Sequence, residues 1–242
     1  MMTGLQSALS VVYPHQCILC DTLVEQGSGL CGPCWRETPF VGGLICDICG
    51  TPLMGEADGH AAHCDDCMTL ARPWARGRAA LVYKGQGRRM VLALKHGDRQ
   101  DIVGPAARWM HRAARDLITP DTLLVPVPIH WLRMLKRRFN QSALLATALA
   151  RESGAQVSPR ALLRARHTDR QDGKSLDQRF ANVDAAIRPH PKYGALLAKR
   201  DVLLVDDVMT TGATLAACAE ACRMAGARRV DIVTLARVAK DT

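Results

Sequence analysis

The chain has 242 residues, of which 48% are hydrophobic and 23% are charged, values that are ordinary for a globular protein. No run approaches the roughly 20 apolar residues that a membrane-spanning helix requires. The first residues also lack the basic start and the small-residue cleavage pattern of a signal peptide. We therefore expect no membrane span and a cytoplasmic protein.

Charge is distributed unevenly along the chain. Residues 1–70 contain one basic and eight acidic residues, whereas residues 71–242 contain 31 basic and 15 acidic ones. This change predicts a small module over 1–70 followed by a larger domain over 71–242. The basic domain is expected to face polyanions such as phosphates or nucleic acid, although a solvated basic surface would give the same composition.

Eight of the ten cysteines lie in the first 67 residues, where they form four Cys-x-x-Cys pairs. Each pair directs two sulfur atoms to one centre, and two pairs supply the four thiolates that structural zinc prefers. The pattern predicts two structural zinc ions held by Cys17, Cys20, Cys31, Cys34, Cys46, Cys49, Cys64 and Cys67. Sequential use of the pairs would give two zinc ribbons in tandem, whereas crossed use needs a more interleaved chain.

Other uses of paired cysteines predict different surroundings. Disulfides form in an oxidising compartment, which nothing in the N-terminus indicates. A redox Cys-x-x-Cys motif would stand alone at a junction between a strand and a helix, whereas these four lie in a polar, glycine-rich stretch. Structural zinc is the favoured interpretation. Cys218 and Cys222 are separate and are expected to be small buried core residues.

Strands alternate with helices in the second part of the chain. The hydrophobic pattern predicts strands over residues 79–83, 123–127, 202–205 and 229–236, and helices over residues 88–95, 102–117, 141–153 and 214–225. Such alternation indicates an α/β fold with a parallel sheet and flanking helices. Ligands of these sheets bind outside the carboxyl ends of the strands.

Two adjacent carboxylates, Asp206 and Asp207, stand at the carboxyl end of the strand predicted over 202–205. The turn that follows opens a helix and consists of Thr210, Thr211, Gly212, Ala213 and Thr214. Backbone N–H groups of such a turn, together with the helix dipole, bind a phosphate. The two carboxylates suit the 2′- and 3′-hydroxyls of a ribose or a Mg²⁺ ion beside it. We therefore expect a phosphorylated ribose as ligand, above all phosphoribosyl pyrophosphate.

Other nucleotide motifs do not match the sequence. It contains no Gly-x-x-x-x-Gly-Lys-Ser/Thr loop for a nucleoside triphosphate. Gly85 and Gly87 lie between a predicted strand and a predicted helix, but the third glycine of a dinucleotide fingerprint is missing. A receiver domain would have its acidic pair after the first strand, and not near the end of the chain.

Residues 202–214 resemble the thirteen-residue signature of the type I phosphoribosyltransferases. The whole chain resembles the ComF family, bacterial proteins linked to DNA uptake in competence and to DNA utilisation. This resemblance rests on the cysteine pairs, the signature, Val-Pro-Val-Pro at 125–128, Arg-Phe-Asn-Gln at 138–141 and the segment 164–182. It implies a type I phosphoribosyltransferase-like parallel sheet with flanking helices, preceded by a small zinc-ribbon module.

The resemblance also implies roles for individual residues. It suggests that Lys95 faces phosphate and that residues 164–171 close over the ligand, with Arg179 and Asn182 following in register. It further suggests that a basic loop embraces the pyrophosphate with His130, Arg133, Lys136, Arg137 and Arg138. The candidate catalytic residues are then Asp206, Asp207, Lys95, Arg137 and Arg138.

Two classes of function follow from these patterns. The first is a phosphoribosyltransferase that uses Mg²⁺ and an unidentified acceptor. Purine salvage is disfavoured, because purine-salvage enzymes have an Asp base where this chain has Thr210. The second is a non-catalytic protein that keeps the ribose-phosphate pocket but binds single-stranded DNA or a partner of the DNA-uptake machinery. Its candidate stacking residues are Trp109, Trp131 and Phe139, and the supply of only ten aromatic residues counts against it.

Overall fold

A computed structural model of the chain describes residues 15–24, 29–96, 99–129, 139–165 and 186–239. The helices of these parts are α1 Gly32–Glu37, α2 Asp65–Thr69, α3 Gly85–His96, α4 Val103–Ala114, α5 Gln141–Ser153 and α6 Ala213–Met224. The strands are β1 Gly77–Val82, β2 Leu123–Pro126, β3 Gln156–Val157, β4 Leu162–Arg164, β5 Ile187–Pro189, β6 Asp201–Met209 and β7 Arg229–Arg237. None of these helices has the length and apolar character needed to cross a membrane.

Five strands form a parallel sheet in the order β1-β7-β6-β2-β3. This arrangement confirms the predicted parallel sheet with flanking helices. β6 is central, with β7 on one side and β2 on the other, so its carboxyl end lies in the middle of the sheet edge where ligands of such folds bind. The short strand β3 and the antiparallel pair of β4 and β5 were not predicted from the sequence.

The two faces of the sheet are covered by different parts of the chain. Alternate residues of β6 point to opposite faces, so Leu203 and Val205 pack with α3, α4 and α5, whereas Val202 and Leu204 pack with α6. The buried cysteines of the first two pairs lie in the first cluster of buried residues. Those of the last two pairs lie in the second cluster, with α6.

The cysteine-rich segment is joined to the sheet by backbone and ring contacts. The Val41 N–H donates to the Ala80 carbonyl of β1 at 2.9 Å. The rings of Trp35 and Phe40 pack on Trp109 of α4, with centroid distances of 6.4 and 5.3 Å. Trp109 is only 5% exposed, so its proposed use as a stacking platform for DNA bases is wrong. Trp109 is a core residue that packs on Trp35 and Phe40, although arginines are its neighbours in the sequence.

Several element boundaries differ from those predicted. β6 continues to Met209, four residues beyond its predicted end, because it stays paired with β7 through Asp206 opposite Thr234. Asp206 and Asp207 therefore belong to the strand. α6 begins one residue earlier than predicted, and α5 has its predicted bounds with Asn140 as the residue that caps it. Both Cys218 and Cys222 are fully buried, as expected.

Candidate functional site

The carboxylate pair is held by side chains from two helices. An Asp206 carboxylate oxygen accepts a hydrogen bond from the Ser142 hydroxyl of α5 at 2.8 Å and another from the Asp207 N–H at 2.9 Å. Lys95 of α3 places its ammonium nitrogen 3.1 Å from a carboxylate oxygen of Asp207. The structure thus brings Lys95, Asp206, Asp207 and Ser142 together. Lys95 is paired with Asp207 here, and the phosphate contact that the resemblance implies for it stays a prediction.

Burial makes this pair electrostatically unusual. Desolvation, followed by the adjacent charge of Asp207, raises the pKa of Asp206 from 3.8 to about 7. The hydrogen bond from Ser142 and the charge of Lys95 act in the opposite direction. A cation or a set of hydroxyl donors placed at this pair would stabilise the charge that the free protein bears poorly. The pair is therefore suited to a ligand that brings such groups.

The turn after β6 has its carbonyl groups fixed by two arginines. A guanidinium nitrogen of Arg237 donates to the carbonyls of Met209 at 3.3 Å and of Thr210 at 2.6 Å. A guanidinium nitrogen of Arg72 donates to the Thr211 carbonyl at 2.7 Å. These carbonyls are thus engaged by arginine side chains, and the backbone N–H groups of the turn are the groups that a phosphate would bind.

Gly212 connects the turn to α6 and is closely surrounded by side chains. Its φ is +83°, in the left-handed region, where it acts as the residue before the helix. A Cβ atom at this position would lie 2.7 Å from the Met209 side chain, 3.0 Å from Trp74 and 3.1 Å from Arg72. The turn therefore lies directly on these three side chains. Thr210 is exposed beside it, whereas Thr211 and Thr214 are partly buried.

Arg137 and Arg138 lie outside the described residues, and so do His130, Arg133, Lys136, Trp131 and the segment 166–185. Their roles stay predictions. The described ends of the basic loop lie close to the carboxylate pair. The Asn140 amide donates to the Val127 carbonyl at 3.1 Å, and the Val127 N–H donates to Val205 of β6 at 2.9 Å. The residues on either side of the loop are thus hydrogen-bonded to each other and, through Val127, to the β6 residue that precedes Asp206.

The eight N-terminal cysteines form two separate clusters. The first cysteine cluster is Cys17, Cys20, Cys31 and Cys34; the second cysteine cluster is Cys46, Cys49, Cys64 and Cys67. This is the sequential pairing, and the crossed pairing is excluded. All ten cysteines are free, and the four of each cluster converge on one centre, as a metal site requires.

The spacing of the sulfur atoms fits a tetrahedral metal. In each cluster the four sulfurs lie within 4.8 Å of one another. The Cys20–Cys31 and Cys49–Cys64 sulfur distances are 3.5 and 3.7 Å. A tetrahedron with zinc–sulfur bonds of about 2.3 Å has edges of about 3.8 Å, so four thiolates at these distances surround a space of the size of zinc. Since four thiolates complete the coordination, these ions would be structural.

Four contributors to the site were not predicted from the sequence: Ser142, Arg72, Trp74 and Arg237. Only Ser142 had a local signal, because it follows the Arg-Phe-Asn-Gln segment at the start of a predicted helix. Arg72 and Trp74 lie in the segment that joins the cysteine-rich part to the sheet, where they had no recognisable pattern. The contacts that give these residues their roles are with residues distant in the chain.

Comparisons with known proteins agree with this two-part organisation. A double zinc ribbon domain matches residues 8–68, and a phosphoribosyl transferase domain matches residues 140–242. The boundary near residue 70 stays a prediction. DNA utilization protein YhgH of Escherichia coli strain K12 is 31% identical over 232 residues, which cover 93% of this chain and 97% of that protein.

A second relative is competence protein F of Haemophilus influenzae, which is 28% identical over 93% of this chain and 98% of its own length. Among solved structures, a hypoxanthine phosphoribosyltransferase of Staphylococcus aureus aligns with 59% of this chain and 68% of that chain. Its sequence identity is 16% and its TM-score is 0.34, a likeness that adds nothing to the two domain matches.

Proposed function

The chain belongs to the ComF family, and from this premise we propose that it binds phosphoribosyl pyrophosphate with Mg²⁺ at the carboxyl end of β6. One observation carries the proposal: the paired carboxylates of Asp206 and Asp207 stand beside a turn that opens α6 and whose carbonyls accept hydrogen bonds from two arginines. Carboxylates and an anion-binding turn, one sugar length apart, are what a ribose phosphate requires.

The two parts of this site divide the ligand between them. The turn from Thr210 to Thr214 and the first turn of α6 would bind a phosphate through backbone N–H groups and threonine hydroxyls. Asp206 and Asp207 would accept hydrogen bonds from the ribose hydroxyls or coordinate Mg²⁺, a hard cation that prefers carboxylate oxygens. Bound Mg²⁺ would offset the negative charge of the pyrophosphate.

If the site transfers the phosphoribosyl group, the bond between the anomeric carbon and the pyrophosphate breaks and a nucleophile bonds to that carbon. The chain would contribute positioning and positive charge for the departing pyrophosphate, through Lys95 and, as predicted from the sequence, Arg137 and Arg138. Thr210 is exposed at the turn and cannot serve as a general base near neutral pH. An acceptor other than a salvaged purine is therefore expected.

The names of the relatives suggest the process. We propose that the protein acts in DNA uptake or DNA utilisation, in the cytoplasm, where thiolates that bind zinc stay reduced. Direct binding of single-stranded DNA, or docking to a DNA-uptake partner, is the second candidate function. The excess of basic residues in 71–242 favours it, whereas the burial of Trp109 removes one of its three candidate stacking residues.

A thermal shift experiment tests the pocket. Ligand at a hundred times its Kd stabilises a protein by about 2.7 kcal/mol, which corresponds to about 5–10 °C in Tm for a chain of this size. Phosphoribosyl pyrophosphate with Mg²⁺ should give such a shift, and the double variant Asp206→Asn, Asp207→Asn should not. Asp121 is exposed and lies just before the amino end of β2, at the edge of the sheet opposite to the proposed site. Asp121→Asn is therefore the matched control and should keep the shift.

Turnover is a separate question. Release of pyrophosphate in the presence of candidate nitrogenous bases would show a transferase. Saturable binding of phosphoribosyl pyrophosphate without pyrophosphate release from any base would favour the binding protein. No shift of Tm in the parent protein would contradict the proposed pocket itself.

A further inference from the structure

We propose that Arg72 and Trp74 are positioning residues for the turn from Thr210 to Thr214. They hold this turn in shape and connect it to the second cysteine cluster. Metal in that cluster would then support ligand binding through Trp74 and Arg72, without direct contact between a cysteine and the ligand. The inference deepens the proposed function and rests on it for the identity of the ligand. The connection itself is present in the free protein and can be measured there.

Arg72 acts on the turn directly. Its guanidinium donates to the Thr211 carbonyl at 2.7 Å and lies 5.4 Å from the centroid of the Trp74 ring, in cation–π range. A hydrogen bond from a charged donor to a backbone carbonyl is stronger than one between neutral groups. Arg72 comes from a segment 139 positions earlier in the chain, so the shape of the turn depends on where that segment is held.

Trp74 connects the turn to the cysteine cluster. Its indole N–H donates at 2.7 Å to the carbonyl of Ile48, which lies between Cys46 and Cys49 in one Cys-x-x-Cys pair. The other end of the ring lies against Gly212, where a Cβ atom would come within 3.0 Å of it. One rigid side chain therefore touches both the metal-binding pair and the turn.

A single cluster of buried residues fills the space between the metal-binding cysteines and the turn. Cys46, Cys49, Trp74, Met209 and Leu215 belong to one cluster of buried residues, which runs from the sulfur atoms to the first turn of α6. A short segment rich in cysteine and glycine has little core of its own, so bound metal provides much of its folding free energy. Loss of metal would release the Ile48 carbonyl and, with it, the position of Trp74.

The first cysteine cluster provides an internal comparison. Its buried members, Cys17 and Cys34, pack on the other face of the sheet with α3 and α4. If zinc acted only through general stability, loss of metal from either cluster would loosen the turn. If the connection is specific, only the second cluster matters.

Hydrogen–deuterium exchange of the peptide that covers residues 209–214 tests the link in the full-length protein without ligand. Arg72→Met should raise amide exchange there about tenfold, because it removes a hydrogen bond from a charged donor to the Thr211 carbonyl; tenfold corresponds to about 1.4 kcal/mol. Trp74→Phe keeps an aromatic side chain but removes the indole N–H donor and makes the ring smaller, and it should raise exchange about fivefold. Arg112→Met, on the exposed side of α4, is the matched control and should leave the exchange unchanged.

The metal arm compares Cys64→Ser in the second cluster with Cys20→Ser in the first. Each variant should lose one zinc, but only Cys64→Ser should raise exchange at 209–214. Equal effects of the two variants would overturn the specific link, and so would unchanged exchange in both Arg72→Met and Trp74→Phe.

Affinity for phosphoribosyl pyrophosphate with Mg²⁺, where the parent binds it, should fall about tenfold in Arg72→Met. A parent that binds no phosphoribosyl pyrophosphate but shows the expected exchange pattern would refute the proposed ligand and leave the connection standing.

Discussion

Replacing Asp206 with Asn tests the electrostatics of the carboxylate pair in the free protein. Burial and the charge of Asp207 raise the pKa of Asp206 from 3.8 to about 7 in the folded state. The folded protein therefore binds this proton more tightly than the unfolded chain does. The contribution of Asp206 to stability is fully present below about pH 4 and is lost as the pH rises through about 7.

The size of this change in stability depends on the difference between the pKa values of Asp206 in the unfolded and folded states. Between pH 5 and pH 7 the unfolded carboxyl has lost its proton while the folded one has largely kept it. The free energy of unfolding then falls by about 1.4 kcal/mol for each pH unit, or at most about 3 kcal/mol over the two units. Asp206→Asn has no proton to lose and keeps an oxygen that can accept from Ser142. Its stability relative to the parent should therefore rise by up to about 3 kcal/mol from pH 5 to pH 7.

Urea unfolding at pH 5, 6 and 7, without added Mg²⁺ and with the zinc content checked at each pH, measures this difference. Asp201→Asn is the control. Arg228 holds the pKa of Asp201 below its usual value, so that carboxyl is ionised in both states throughout the interval. The difference between Asp201→Asn and the parent should stay constant. A constant difference for Asp206→Asn as well would refute the electrostatic reasoning.

Three further predictions concern the turn, the pair and the metal. Gly212→Ala should lower stability by more than Gly226→Ala. Both glycines have a φ of +83°, but an added Cβ would lie 2.7–3.1 Å from side chains at Gly212 and 3.9 Å from its nearest neighbour, Ala198, at Gly226. The excess should be about 1–3 kcal/mol in urea unfolding, and equal losses would contradict the packing described. Ser142→Ala removes a hydrogen bond that lowers the pKa of Asp206, so this pKa should rise. Because the ligand is expected to bind the ionised carboxylate, the pH midpoint of phosphoribosyl pyrophosphate binding should also move upwards. A midpoint that stays or falls would be inconsistent with this contact. Metal analysis should find about two zinc ions per chain, and disulfides in their place would show that the cysteine clusters are not metal sites.

Much of the fold could be predicted because its signals are local. The bounds of α5 follow from an apolar helical pattern between Asn140, which caps the helix, and Gly154, whose φ is +74°. The end of β6 could not be predicted in this way. Charged residues at 206 and 207 suggested that the strand stops at Val205, whereas pairing with β7 carries it on to Met209. Tertiary pairing decided the boundary against the local pattern.

The site shows the same division between local and distant information. Asp206, Gly212 and their neighbours were recognisable because the end of a strand, an acidic pair and a turn of small residues follow one another in the chain. Arg72 and Trp74 were not recognisable, since their partners Thr211 and Ile48 lie far away in the sequence. Only the folded chain shows that the linker between the two parts supports the turn.

Isothermal titration of the full-length protein with phosphoribosyl pyrophosphate and Mg²⁺ tests the central claim most directly. We predict saturable binding of one ligand per chain, with affinity that depends on Mg²⁺ and is lost in the double variant Asp206→Asn, Asp207→Asn. Absence of saturable binding to the zinc-loaded parent, or binding that survives in the double variant, would contradict a ribose-phosphate site at the end of β6.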